Sequence, residues 1–161
     1  KYRVPFREKK FCLAASRNRL NGNKLSVVSA LARYGKIDFI SYFNDIHRST
    51  CYHGEQLISL FSQYKFVVCF ENSHASGYIT EKIFNVFMSH SIPVYDGSTN
   101  VGDFIHPESF IPYKPNAIAK IVALANDEAA YEEMIRHPKI VLSDTHIDDY
   151  LQMVASQKIE E

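Results

Sequence analysis

Short apolar runs rich in β-branched and aromatic residues alternate along this chain with segments of helical period. That alternation limits the fold most, because strands joined by helix-length crossovers assemble a parallel sheet. The densest example covers residues 64–98, YKFVVCFENSHASGYITEKIFNVFMSHSIPVYDGS. Phe66 to Phe70 and Ile92 to Tyr95 read as buried strands with a polar loop and a helix between them. At about 100° per residue, Ile79, Ile83, Val86 and Phe87 fall on one side of that helix. Tyr78, Glu81, Lys82 and Asn85, spaced i, i+3, i+4, i+7, fall on the other, so a phenol, an acid, a base and an amide share one surface.

The flanking sequence continues the pattern. Phe11 to Ala15 reads as a first strand, Ser16 to Asn23 as a polar loop, and Lys24 to Tyr34 as a helix with Gly35 in the place of a C′ glycine. Ile37 to Tyr42 is a second strand, Asn44 to Gly54 a polar loop, and Glu55 to Ser62 a short amphipathic helix. Beyond Gly97, Ser98 to Pro107 has the Gly, Asp and Pro content of turns. Helices are expected over Asn116 to Ala125 and over Asp127 to His137, the second N-capped by Asp127 and stopped by Pro138. An amphipathic helix from Asp144 to Ser156 would place Ile147, Leu151 and Val154 on one face. The expected fold is α/β: a Rossmann-like, mostly parallel sheet with helices on both faces, in a single domain over residues 1–161.

The polar face of the Tyr78–Asn85 helix follows the loop Glu71-Asn72-Ser73-His74-Ala75-Ser76-Gly77. Unpaired N–H groups and the positive end of a helix dipole favour an anion there, and open α/β sheets bind nucleotides at such strand-to-helix turns. Lys82 suits a diphosphate, Glu81 a pair of ribose hydroxyls, and Tyr78 the face of a sugar or base. The alternative is a solvated face on which Glu81 and Lys82 are ordinary surface charges. His74 is either a phosphate or sugar contact or a polar loop residue. Residues 16–24 join the first strand to the first helix beside the same crevice, where Arg17, Arg19 and Lys24 either complete a diphosphate clamp or stay solvated.

Composition excludes other functions. Eighteen basic and eighteen acidic residues balance, and no segment is basic enough for a nucleic-acid groove. No apolar run approaches the roughly 20 residues that cross a bilayer, and KYRVPFREKK lacks the apolar core of a signal peptide, so a soluble chain without a membrane segment is expected. Cys12, Cys51 and Cys69 are odd in number, and Cys12 and Cys69 lie in apolar runs as small buried hydrophobes. The seven histidines are scattered and form no ligand pair, and Asp148-Asp149 reads as a solvent-facing acidic pair, so no metal is expected.

Phe70-Glu71-Asn72-Ser73, then Tyr78-Ile79-Thr80-Glu81-Lys82-Ile83, Ile92-Pro93-Val94 with Gly97, and Ser109-Phe110-Ile111 occur in the order and near the spacing found in one family. The chain resembles the donor-binding half of the α1,3-fucosyltransferases, glycosyltransferase family 10, strongly over Gln63 to Ile111 and more weakly from Phe11 through the Tyr131 helix. The resemblance implies the C-terminal half of a GT-B glycosyltransferase, binding GDP-fucose for inverting transfer of fucose to a GlcNAc- or glucose-containing glycan, with no cofactor required. It assigns Lys82 to the diphosphate, Glu81 to ribose hydroxyls and Tyr78 to the nucleotide pocket. The family commonly places a phosphate-contacting arginine where Lys24 stands here, so either Lys24 substitutes with a point charge or Arg17 or Arg19 reaches in.

Glu71 is the best local carboxylate to stabilise an oxocarbenium-like centre, or else it is a buried loop anchor. Asn72 would bond the donor sugar or the loop backbone. In the family the catalytic base and most acceptor contacts belong to an N-terminal domain that this sequence does not contain. The chain is therefore expected to be an excised domain, a fragment or a reduced member, binding donor but needing another domain or chain for the acceptor. Its compartment would be cytoplasmic for a bacterial or viral source and Golgi for a piece of a eukaryotic enzyme. Competing readings are a different nucleotide-sugar donor, a nucleotide-binding module without catalysis, and a flavodoxin-like domain used only for protein contact.

Overall fold

Five strands pair side by side and all in parallel: β1 (Lys10–Ser16), β2 (Ile37–Ser41), β3 (Tyr64–Phe70), β4 (Ile92–Asp96) and β5 (Ile111–Pro112). Their order is β2-β1-β3-β4-β5. The structure, a computed structural model, describes residues 2–16, 22–41, 54–114 and 116–141, with the backbone alone at 16, 22–24 and 41. Every strand read from sequence is present. This order is the flavodoxin-like version of the doubly wound sheet, and its connections reverse direction between β1 and β3.

The central strand β3 is apolar because both its faces are covered. Phe66, Val68 and Phe70 point into one core with Val27, Val28 and Leu31 of α1 (Gly22–Leu31), Ile121 and Leu124 of α4 (Ala117–Asn126), and Tyr131 and Met134 of α5 (Glu128–Arg136). Val67 and Cys69 point into the other with Phe61 of α2 (Glu55–Phe61) and Ile83 and Val86 of α3 (Glu81–Met88). Asp127 caps α5 as expected, its carboxylate accepting the Ala130 N–H at 3.0 Å. Cys12 and Cys69 are buried free thiols, and burial pushes Cys12 up to about 12 and Cys69 further still. A thiol held protonated is inert, which fits a packing role. Cys51, Asp148, Asp149 and the helix expected over Asp144 to Ser156 lie outside the described residues.

Two local expectations are corrected. Helix α3 begins at Glu81, not at Tyr78, because the Thr80 side chain caps it and accepts the Lys82 N–H. Tyr78 and Ile79 belong to the turn ahead, so the shared helical face contains only Glu81, Lys82 and Asn85 of the four polar residues. Gly35 follows α1 by four residues without a positive φ; it is small because a Cβ there would lie 2.5 Å from the Phe11 ring. Strand β5 has no counterpart in the sequence reading, since two residues carry no periodicity and Pro112 suits only an edge.

At the N-terminal edge of the sheet, the buried Lys9 ammonium donates to the carbonyls of Ser62 at 2.7 Å, His90 at 2.9 Å and Tyr64 at 3.4 Å. Burial lowers its pKa from 10.5 to about 8. Between those two values the unfolded chain holds more protons than the folded one, so this group adds stability as pH rises through that window. Urea unfolding of wild type and Lys9→Met at pH 7.5 and 9.5 should therefore show the wild-type advantage growing with pH. A constant or shrinking difference would refute the assignment.

Candidate functional site

Ligands of open α/β sheets bind outside the carboxyl ends of the strands, where the order reverses. In this fold that end of β3 runs straight into Glu71, whose N–H donates to Asp96 O at 2.8 Å, tying it to the end of β4. The Glu71 side chain has no exposed surface. Its Oε1 accepts the Thr80 N–H at 2.9 Å, the Thr80 hydroxyl lies 2.8 Å from each carboxylate oxygen, and Lys82 Nζ donates to Oε2 at 2.6 Å. The first residue of the loop thus grips the last one and the first turn of α3.

Lys82 is one-third exposed, so its ammonium bridges the buried carboxylate and the solvent-facing mouth. A cation in the first helical turn opposes the helix dipole, and the Glu71 carboxylate offsets that cost. Asn72, Tyr78 and Glu81 are exposed along the same loop and first turn. His74 Nε2 lies 3.0 Å from Asp96 Oδ1, which bonds it across to β4. The backbone of Lys24 falls in the first turn of α1, while its side chain and all of Arg17 and Arg19 lie outside the described residues.

Sequence reasoning named Thr80 and Gly97 only as motif residues without a role, and did not single out Asn100. Thr80 carries a legible signal, a threonine directly before an acidic first turn. Gly97 does not: a Cβ there would lie 2.5 Å from both Glu71 Cγ and the Tyr95 hydroxyl, a proximity visible only in three dimensions. Asn100, whose amide oxygen accepts the Gly77 N–H at 2.7 Å, is equally silent in sequence. Among the described residues no group of three or more metal-ligating side chains gathers, and no helix is long and apolar enough to cross a membrane.

A five-stranded parallel sheet with helices on both faces, and a Glu71–Lys82 pair that ties the end of its central strand to the first turn of the next helix, define the class as a doubly wound α/β domain. Residues 4–152 match the family described as glycosyltransferase family 10 (fucosyltransferase) C-term, and the chain belongs to that family. It is 38% identical over 93 residues to an α-(1,3)-fucosyltransferase of Helicobacter pylori, covering 58% of this chain and 16% of that protein. It is 40% identical over 77 residues to an α-(1,4)-fucosyltransferase of Arabidopsis thaliana, covering 45% and 19%. Its fold superposes on an α1,3-fucosyltransferase solved with GDP-fucose at a TM-score of 0.72 and 27% identity, covering 88% of this chain and 42% of the other. The chain spans less than half the length of each of these three proteins.

Proposed function

We propose that this chain is a fucosyltransferase donor domain that binds GDP-fucose through the Glu71–Lys82 segment for inverting transfer to a glycan. The observation that carries the reading is the buried Glu71 carboxylate holding Lys82 at 2.6 Å in the first turn of α3, in a family with a member solved with GDP-fucose. In this reading Lys82 meets the diphosphate, Glu81 the ribose hydroxyls and Tyr78 the nucleotide. Glu71, with both oxygens engaged, acts through Lys82 as a positioning group and not on the sugar. Asn72, exposed beside it, is available to the donor. Lys24, Arg17 and Arg19 supply further positive charge from the β1–α1 connection.

The transfer forms a bond from an acceptor hydroxyl oxygen to the fucose anomeric carbon while the bond from that carbon to the diphosphate breaks. GDP leaves with the electron pair, and the acceptor proton passes to a base. Lys82 lowers the barrier by stabilising charge that grows on the departing diphosphate. The base and the GlcNAc- or glucose-containing acceptor belong to a second domain or partner chain in this account. No metal or cofactor is required by it, since Lys82 supplies the counter-charge.

Titration calorimetry of the chain with GDP-fucose, GDP-mannose and UDP-galactose tests the reading. GDP-fucose is expected to bind, with UDP-galactose weaker by about tenfold or more, a difference of ~1.4 kcal/mol. Incubation with GDP-fucose and a GlcNAc-containing acceptor should yield little product. Equal affinity for the three donors would sink the donor assignment, and rapid acceptor-dependent transfer would sink the need for a second domain.

A further inference from the structure

The turn that presents Tyr78 is held from outside its own loop. Gly77 sits at φ +74°, in the left-handed region that favours glycine. Its N–H donates to Ser98 Oγ at 3.0 Å and to Asn100 Oδ1 at 2.7 Å, both on the segment after β4. The Ser98 hydroxyl donates to Asn100 Oδ1 at 2.9 Å, and Ser98 is itself buried, its N–H donating to the Tyr95 hydroxyl at 3.2 Å. Asn100 Nδ2 donates to Asp103 Oδ2 at 3.0 Å. That last bond fixes the amide orientation, because a flipped amide would turn its oxygen on the Asp103 carboxylate and its NH₂ on the Gly77 N–H.

We propose that Asn100, its amide oriented by Asp103, is a positioning residue for the donor site: it fixes the Gly77 turn and so the place where Tyr78 meets the nucleotide. The inference rests on the donor reading above. Tyr78 follows Gly77 directly, and its own N–H bonds only locally, to Ala75 O at 3.1 Å, as the Ile79 N–H does to Gly77 O at 2.9 Å. Ile79 packs against the second core, and the hydrogen bonds that tie this turn to another segment run through the Gly77 N–H. Asn100 and Asp103 make none of the bonds that hold Glu71, Thr80 and Lys82, so their loss leaves the diphosphate end in place.

The test is GDP-fucose affinity of the full 161-residue chain in Asn100→Ala, Asn100→Asp, Asp103→Asn and the double variant Asn100→Asp/Asp103→Asn. Loss of the accepting oxygen in Asn100→Ala, and in Asn100→Asp the loss of the Nδ2 donor with repulsion between carboxylates at 100 and 103, should each weaken binding about tenfold, the scale of one hydrogen bond. The double variant exchanges the two roles, restores acceptor and donor, and should recover affinity to within about twofold. In a Tyr78→Ala background, Asn100→Ala should cost nothing further, a coupling that a purely structural role would not produce. By NMR the Gly77 amide should exchange faster in Asn100→Ala and return to the wild-type rate in the double variant. Wild-type binding with unchanged affinity in Asn100→Ala, or additive loss in the Tyr78→Ala background, overturns the inference and leaves the donor reading standing. Wild-type silence toward GDP-fucose overturns both.

Discussion

Lys82→Ala is expected to destabilise the fold by about 3–5 kcal/mol, more than Glu71→Gln does, although the two residues form a single ion pair. The difference lies in what each substitution leaves behind. Without Lys82, the Glu71 carboxylate stays fully enclosed with no counter-charge; without a charged Glu71, the one-third exposed Lys82 ammonium turns to water. Glutamine at position 71 also still offers an oxygen to the Thr80 N–H, now served by Oε1 at 2.9 Å. The double variant Glu71→Gln/Lys82→Met, which removes both charges and keeps the volume, should recover most of the stability, as uncharged replacements of buried pairs often do. It should not recover GDP-fucose binding, because the cation for the diphosphate is gone. Urea unfolding and calorimetry on the same samples check both halves. Recovery of binding with the uncharged pair would show that Lys82 serves only the fold.

That pair also shows where sequence reading reaches its limit. The alternation of strand and helix was legible because both faces of β3 and the inner faces of α1, α3, α4 and α5 are apolar at their own periods. Lys82 and Glu81 at the start of a helix after a strand were legible for the same reason. The burial of Glu71 was not, since Glu-Asn-Ser reads as a polar loop; enclosure comes from Thr80 and Lys82, nine and eleven residues on, and from Gly97 beyond β4. Helical spacing ran on too far toward the N-terminus: Tyr78 and Ile79 fit the period, but Gly77 at φ +74° and the Ile79 N–H bonded to Gly77 O form a tight turn. Periodicity records side-chain direction and not backbone bonding, so a cap such as Thr80 decides the boundary instead.

Gly97→Ala is expected to cost about 3 kcal/mol, the upper part of the range for overfilling a packed interior. The added methyl would lie 2.5 Å from Glu71 Cγ, 2.5 Å from the Tyr95 hydroxyl and 2.8 Å from Tyr95 Cζ, and both neighbours are almost wholly buried. Neither can swing aside. Tyr95 is packed against Phe110 and its hydroxyl accepts the Ser98 N–H at 3.2 Å, while Glu71 is gripped by Thr80 and Lys82. Displacement must therefore reach the Glu71 clamp, and donor affinity should fall along with stability. Gly77→Ala provides the contrast: nothing lies within 4 Å of its Cβ, so only the positive φ resists it, at about 1 kcal/mol. Tyr95→Phe separates the two clashes at Gly97. Alone it removes the acceptor for the Ser98 N–H and costs about 1 kcal/mol, yet combined with Gly97→Ala it removes one of the two closest contacts and should cost less than the sum. Additive losses in that cycle would mean that the methyl presses on Glu71 alone, placing the whole constraint at position 97 on the carboxylate that holds Lys82.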